Sequence, residues 1–398
     1  MAVYDDCMAY FKARRLVNYH KYAPFYLAQI GAHIANLYNK GFVKNYPAWF
    51  TRAGKIVDLR IHTMAVGPPG SGKTFWIEEF LHHETGLLRG ISFPVEFHNK
   101  ATLKGLIGGW DKTGARCYGE FEDNASGIFG FEEWMGLMKA GKQEHSLDLE
   151  EQMLPILDSG RITAKVGDHP KIEFTTYVSI MAGTQSERFD LASGMARRLT
   201  FLNLTPDVEA WKALAANYDD TMGLKPDFKV IRAIRAGFEK LFTDFAVKDV
   251  EFSPRYVEFR NKLVPDHILK GYVDRYAVGY SLVRNYRGQS TLQIVLDKPL
   301  ETLLLALLEM RWECLGGTSE SVVLKLLGEK EWQLAELKNA LKYYSMKYSD
   351  ATKLLDSMLQ TGKIEFSMKA GQGGCKKKIT TVKRIDQHEG PDWASFLE

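Results

Sequence analysis

Eight consecutive residues, Gly67, Pro68, Pro69, Gly70, Ser71, Gly72, Lys73 and Thr74, satisfy the pattern G-x-x-x-x-G-K-[ST]. Glycines at these places let backbone N–H groups turn inward around an anion. Lys73 can then reach β- and γ-phosphates, and Thr74 can offer its hydroxyl to Mg²⁺ at the positive end of a helix. Residues 56–66 read as a buried strand and residues 75–82 as a helix, so the loop has the strand-loop-helix setting that phosphate binding requires. A nucleoside triphosphate with Mg²⁺ is the expected ligand.

Further along, the apolar run 125–131 ends in Glu132 and Glu133. Two acids at the end of a strand are what hydrolysis of a bound triphosphate needs: one orients the metal through its water shell, the next activates the attacking water. Thr184 and Gln185, at the end of the strand-like stretch 171–181, could hydrogen-bond a γ-phosphate or that water. Arg197 and Arg198 precede the apolar strand 199–204. An arginine there can point across a subunit boundary at a neighbour's γ-phosphate, where such a group is worth roughly 10³ to 10⁵ in turnover.

The elements that must position these groups follow from periodicity. Residues 1–55 interleave aromatic and basic positions ahead of a helical stretch near 24–40, and are expected to form a few short helices packed on the nucleotide domain. A second strand is expected at 91–97, a short helix at 102–109 and a small hairpin over 110–118. After a helix at 150–157, the stretches 160–166 and 171–181 flank a Gly-Asp-His-Pro turn. They read as a hairpin with Lys165, His169 and Lys171 near its tip, its second arm running on into the core sheet. Residues 206–315 are helical in pattern. Gly316 and Gly317 form a linker, and from residue 319 three helices and a two-stranded ribbon spell a winged helix. In that unit Lys353, with Lys376, Lys377 and Lys378 on the wing, could contact phosphates.

Composition sets outer bounds. The chain has 398 residues, 45% hydrophobic and 25% charged, enough for two or three cores. A net charge of +3 argues against a histone-like wrapper, so nucleic-acid contact must come from local clusters. The four cysteines are scattered without a C-x-x-C pair, which disfavours zinc and disulfide frameworks. No apolar run reaches the ~20 residues of a membrane span, and no signal-peptide pattern opens the chain. A cytoplasmic protein without membrane attachment is expected.

The order of these features resembles the AAA+ class of ATPases and, within it, the minichromosome maintenance helicases, over residues 20 to about 300. The resemblance is carried by 23–26 (Ala-Pro-Phe-Tyr), the phosphate loop, Lys104-Gly-Leu106 and 124–133 (Asn-Ala-Ser-Gly-Ile-Phe-Gly-Phe-Glu-Glu). It continues through Glu151-Gln152 and 160–167 (Gly-Arg-Ile-Thr-Ala-Lys-Val-Gly) to 195–200 (Met-Ala-Arg-Arg-Leu-Thr) and 253–260 (Ser-Pro-Arg-Tyr-Val-Glu-Phe-Arg). It implies Lys73 and Thr74 as the Walker A pair binding ATP and Mg²⁺, Glu132 as the metal acid and Glu133 as the general base. It further implies Thr184 as sensor 1, Arg198 as the arginine finger with Arg197 its rival, Arg255 as the second sensor, and Lys165 on a DNA-gripping hairpin. The chain departs from the family where Glu132 replaces Asp, Thr184 replaces Asn and Leu199-Thr200 replace Phe-Asp, and a relative without the family's N-terminal DNA-binding region is expected.

The expected architecture is an α/β AAA+ P-loop NTPase with a helical lid and a C-terminal winged helix. Its expected parts are an N-terminal helical segment (1–55), the nucleotide domain (56–205), the lid (206–315), the winged helix (319–385) and a tail (386–398). The expected function is an ATP-driven hexameric ring that unwinds or translocates on single-stranded or forked DNA during replication. Two other readings stand beside it: an origin-binding or loader ATPase that uses ATP as a switch, and a DNA-binding scaffold without catalysis.

Overall fold

The computed structural model describes residues 2–43, 45–99, 101–134, 149–164, 169–185, 198–221, 226–263, 267–315, 323, 327, 332–343, 348–360, 364–370 and 378–384. In chain order its elements begin with α1 (Val3–Ala13), α2 (Tyr19–Asn39), the small hairpin β1 (Thr51–Arg52) and β2 (Lys55–Ile56), β3 (Thr63–Val66) and α3 (Lys73–Leu81). There follow β4 (Val95–His98), α4 (Leu103–Ile107), β5 (Gly108–Trp110), β6 (Arg116–Tyr118), α5 (Glu120–Asp123) and β7 (Ile128–Phe131). Next come α6 (Leu149–Asp158), β8 (Arg161–Ala164), β9 (Ile172–Thr175), β10 (Ser179–Thr184) and β11 (Thr200–Asn203). The helical region holds α7 (Val208–Thr221), α8 (Phe228–Thr243), β12 (Asp249–Phe252), α9 (Pro254–Leu263), α10 (His267–Asn285), β13 (Thr291–Ile294) and α11 (Lys298–Leu315). Last are β14 (Trp332–Gln333), α12 (Leu334–Tyr343), α13 (Tyr348–Gln360), β15 (Ile364–Ala370) and β16 (Lys378–Arg384).

Five strands form one parallel sheet in the order β11-β3-β10-β7-β4. The three interior strands β3, β10 and β7 are buried along their whole length, which is why they read as unbroken apolar runs rather than alternating ones. Two expected strands prove shorter. The 56–66 stretch enters the sheet only at Thr63, because its first part forms the β1–β2 hairpin and an irregular lead-in around the buried Arg60. The second strand starts at Val95, since Pro94 offers its carbonyl to Ile128 N but has no N–H for a ladder.

The N-terminal segment forms two helices, and the helical stretch expected near 24–40 is the second of them, α2, which has 21 residues, starts earlier at Tyr19 and is buried from Tyr22 to Asn39. Its polar side chains replace partners that the strand entrances lack. Gln29 Nε2 donates to Ile61 O at 2.9 Å and Ile180 O at 2.8 Å, and Gln29 Oε1 accepts from Thr63 Oγ1. His33 contacts Ser179 Oγ and Ser126 O, each at 2.9 Å. α2 thus runs along the sheet from the phosphate-loop end, where Tyr22 and Tyr26 meet Trp76, to the strand entrances. α10 crosses it in backbone contact at Gly31 and Gly279.

The 206–315 region is not wholly helical: β12 and β13 pair in parallel, Asp249 with Thr291 through Phe252 with Ile294. Beyond it, β14, β16 and β15 form a three-stranded sheet in that order, not the expected two-stranded ribbon. The added strand is Trp332 and Gln333, which pair with Val382 and Thr381. A separate core of Val323, Leu327, Leu337, Leu341, Leu355, Met358, Ile364 and Val382 holds this unit together.

Candidate nucleotide site

The phosphate loop leaves the C-terminal end of β3 and turns into α3. Gly70 (φ 78°) and Gly72 (φ 85°) adopt the left-handed conformation that the turn demands, and Trp76 N bonds Gly72 O to start the helix. α3 is fixed by an aromatic stack in which Trp76 and Phe80 meet Phe11 of α1 and Tyr26 of α2. Such pairs contribute about 0.5–1.5 kcal/mol each beyond area burial. The loop is therefore anchored from behind by the N-terminal helices.

β10 lies between β3 and β7, and this order assembles the site. Gly67 N bonds Thr184 O, and Glu132 N bonds His98 O at the end of β7. Thr184 is level with Val66, and Ala182 with Phe131. Gly183 permits the close approach, for a Cβ there would stand 2.7 Å from Glu132 O. Thr74 Oγ1 consequently lies 3.4 Å from Glu132 Oε1, and Thr184 Oγ1 3.5 Å from Glu133 Oε1. Lys73 Nζ turns back to donate to Gly67 O and Pro68 O, both at 2.8 Å. Burial pulls its ammonium below the ordinary value, while the Glu133 carboxylate opposes that shift.

Among the described residues Ser71 Oγ is buried in the loop with no hydrogen-bond partner, and the Lys73 ammonium donates to loop carbonyls. A phosphate anion at this place would accept from both, so the residues present fit a bound triphosphate. Among the described residues no three His, Cys, Asp or Glu side chains cluster as a metal cage. Thr74 and Glu132 are the pair able to hold Mg²⁺ together with phosphates and water.

One part of the site escaped sequence reasoning. Beside Ser71 and Gly72 opens a cavity of about 370 Å³, walled by Val17, Asn18 and Tyr22 on one side, Phe75 and Trp76 below, and Pro206, Ala210 and Leu214 of the α7 region opposite. Its size and largely apolar, aromatic lining suit a nucleobase. Arg15 and Asn18 take positive φ (55° and 57°) where the chain bends around it, and Asn18 was the one local signal available. Arg14, at the rim, is held by Glu79 at 2.9 Å.

Two expected site residues stand elsewhere. Arg198 precedes β11, and Thr200 is level with Thr63, so Arg198 sits at the strand entrances, about 20 Å of extended chain from Gly67. There it pairs with Asp158. Arg255 is exposed at the start of α9. Its neighbour Tyr256 bonds Asp274, which is held by Arg52 (2.6 Å) and Arg260 (2.9 Å), while Arg275 bonds Arg60 O. Those contacts put Arg255 near the strand entrances too, away from its own phosphate loop. Lys171 and Lys353 are exposed, and Lys378 opens β16. Lys165, Lys376, Lys377 and Arg197 lie outside the described residues, as do the tail and most of the first helix expected after residue 319.

Among the described residues no helix is long and apolar enough to cross a membrane. Compared with known proteins, the chain matches no protein-family model and no curated protein.

Proposed function

We propose that this protein is an ATPase of the AAA+ type, resembling the minichromosome maintenance helicases, that acts as a hexameric ring on DNA. The observation that carries the reading is the placement of Glu133 against Thr184, next to Lys73, on strands flanking the phosphate loop. Support also comes from the strand order, in which β10 separates the phosphate-loop strand from the acid-bearing one. The C-terminal unit supports it as well, since α12 and α13 with a sheet ordered β14-β16-β15 are compatible with a winged helix.

MgATP supplies the γ-phosphoryl group and the cation that balances its charge. The protein's part is as follows. Lys73 leaves the two loop carbonyls for phosphate oxygens, and Ser71 and the loop N–H groups complete the cradle. Glu133 accepts the proton of the attacking water on Oε1, and Thr184 Oγ1 orients that carboxylate or the water. Thr74 and Glu132 would hold the cation. Arg198 and Arg255, at the opposite end of the strands, can reach only a neighbour's nucleotide, so full turnover needs assembly. A closed ring presents each site with the next subunit's strand-entrance end. Lys171, on the arm running into β10, supports a hairpin that contacts DNA as the γ-phosphate is lost.

Glu133→Gln tests the central assignment. Nucleotide binding should persist while turnover falls by about 10²- to 10⁴-fold. Hydrolysis at the parental rate would show that another group is the base.

A further inference from the structure

We infer that Asp158 is a positioning residue for Arg198. It holds the guanidinium in the isolated subunit, releases it to a neighbour's phosphates on assembly, and so ties that neighbour's nucleotide state to the base of the β8–β9 hairpin. The inference rests on the proposed action of Arg198 in trans.

Asp158 Oδ2 accepts from Arg198 Nη2. The arginine side chain is 19% exposed and the aspartate side chain 53%, so the pair is open on its acidic side, where an incoming anion can compete for the guanidinium. Among the described residues, two other acids at this end are committed: Asp58 to Arg60, and Asp274 to Arg52 and Arg260. Arg275 and Arg311 stand nearby, donating to Arg60 O and Leu199 O. This end is accordingly rich in positive charge, which attracts phosphate.

The backbone of Asp158 leads elsewhere. It ends α6 immediately before β8, and its carbonyl accepts from Arg60 Nη2 at 3.0 Å. Arg60, 1% exposed, also donates Nη1 to Ile156 O (2.9 Å) and Val178 O (3.3 Å). One buried guanidinium thus grips the chain as it enters the hairpin and again as it leaves for β10, whose far end is Thr184. The hairpin base itself cannot yield. Gly160 has φ 71°, a Cβ on it would lie 2.0 Å from Thr176 O, and Thr176 N bonds Gly160 O at 2.7 Å. A shift of Asp158 on losing Arg198 therefore passes into both arms instead of being absorbed locally.

The test compares full-length Asp158→Asn, Asp158→Glu and Arg198→Ala with the parent. ATP hydrolysis is measured against protein concentration, with and without an oligothymidine. Asp158→Asn removes the charged partner of Arg198 and weakens the hold on it, so the protein concentration for half-maximal turnover should fall several-fold, whereas stimulation by the oligothymidine should drop at least five-fold. Asp158→Glu, which keeps the charge, should retain at least half of the parental stimulation. If the Asn variant does not fold, Asp158→Ser carries the same expectation. Parental behaviour of Asp158→Asn in both readouts, or equal loss in Asn and Glu variants, would overturn the inference. An inactive Arg198→Ala beside a parental Asp158→Asn removes this inference alone, while a fully active Arg198→Ala removes the trans reading and this inference with it.

Discussion

Two glycines on one helix should respond in opposite directions to the same substitution. At Gly279 an added Cβ would stand 1.9 Å from Ala28 O and 2.7 Å from Ala32 N, both backbone atoms of α2. At Gly271, on the same helix α10, nothing lies within 4 Å. No rotamer change can relieve the first clash, so α2 and α10 must move apart by more than an ångström in the middle of the core. Overpacking of that kind costs about 1–3 kcal/mol, and the backbone-to-backbone geometry puts Gly279→Ala at the top of the range or above. At about 2.1 cal/mol/K of unfolding entropy per residue, a chain of 398 residues shifts by about 1 °C per kcal/mol, so melting should fall by roughly 3–4 °C. Gly271→Ala meets no obstacle and removes the glycine penalty in a helix, so it should stabilise by about 0.5–1 kcal/mol. Differential scanning calorimetry of the two variants beside the parent decides the matter. If Gly279→Ala melts with the parent, α2 does not pack into this core as described, and the anchoring of the phosphate loop through Tyr26 and Trp76 loses its basis.

Other expectations can be checked alongside. Filling the cavity with Ala210→Trp should weaken ATP binding by roughly 10- to 100-fold, the loss of about 100 Å² of base burial, while binding of inorganic tripolyphosphate stays unchanged; equal losses for both ligands would mean the base binds elsewhere. Mixing Arg198→Ala with Lys73→Ala protein should recover part of the turnover absent from each alone, because one interface in a mixed ring pairs an intact loop with an intact arginine. No recovery at any ratio, with assembly verified, would count against action in trans. Burial holds the His33 imidazole down to about 3 and lowers that of His62 well below its ordinary value. An unfolded histidine titrates near 6.5, so below that pH the unfolded chain takes up protons that the native one refuses. The stability these histidines contribute is complete above pH 6.5 and is lost as the pH falls, by about 1 kcal/mol for each between pH 6.5 and 5.5. Denaturant midpoints that do not move between pH 7.5 and 5.5 would contradict their buried, neutral state.

The residues that meet at the candidate site were legible along the chain because their determinants are local. The glycines of the phosphate loop are required by the turn they make, Lys73 and Thr74 follow from the helix that starts there, and Glu132 and Glu133 end an apolar strand wherever that strand is placed. Helix periodicity likewise located α8, α9 and α11 to within a residue or two. What the chain could not disclose depends on contacts between distant segments. β12 and β13 are short and half-exposed, and they exist only because Lys248–Phe252 and 290–294 meet across two intervening helices. α2 carries Gln29, His33 and Asn36, which look like a solvated face. They are buried because strand entrances at Ile61, Ile180, Leu59 and Ser126 present unpaired groups to them. The cavity beside Gly72 needs the bend at Asn18 and the approach of α7, two segments nearly two hundred residues apart. Arg255 at a helix N-terminus reads locally as a group that faces phosphate. Packing around Asp274 instead fixes which end of the sheet it occupies. Sequence thus determined which groups can do chemistry, and the crossing of α2, α10 and the sheet decided which of them share a site, since helix docking and strand order are set by non-local burial that no local pattern encodes.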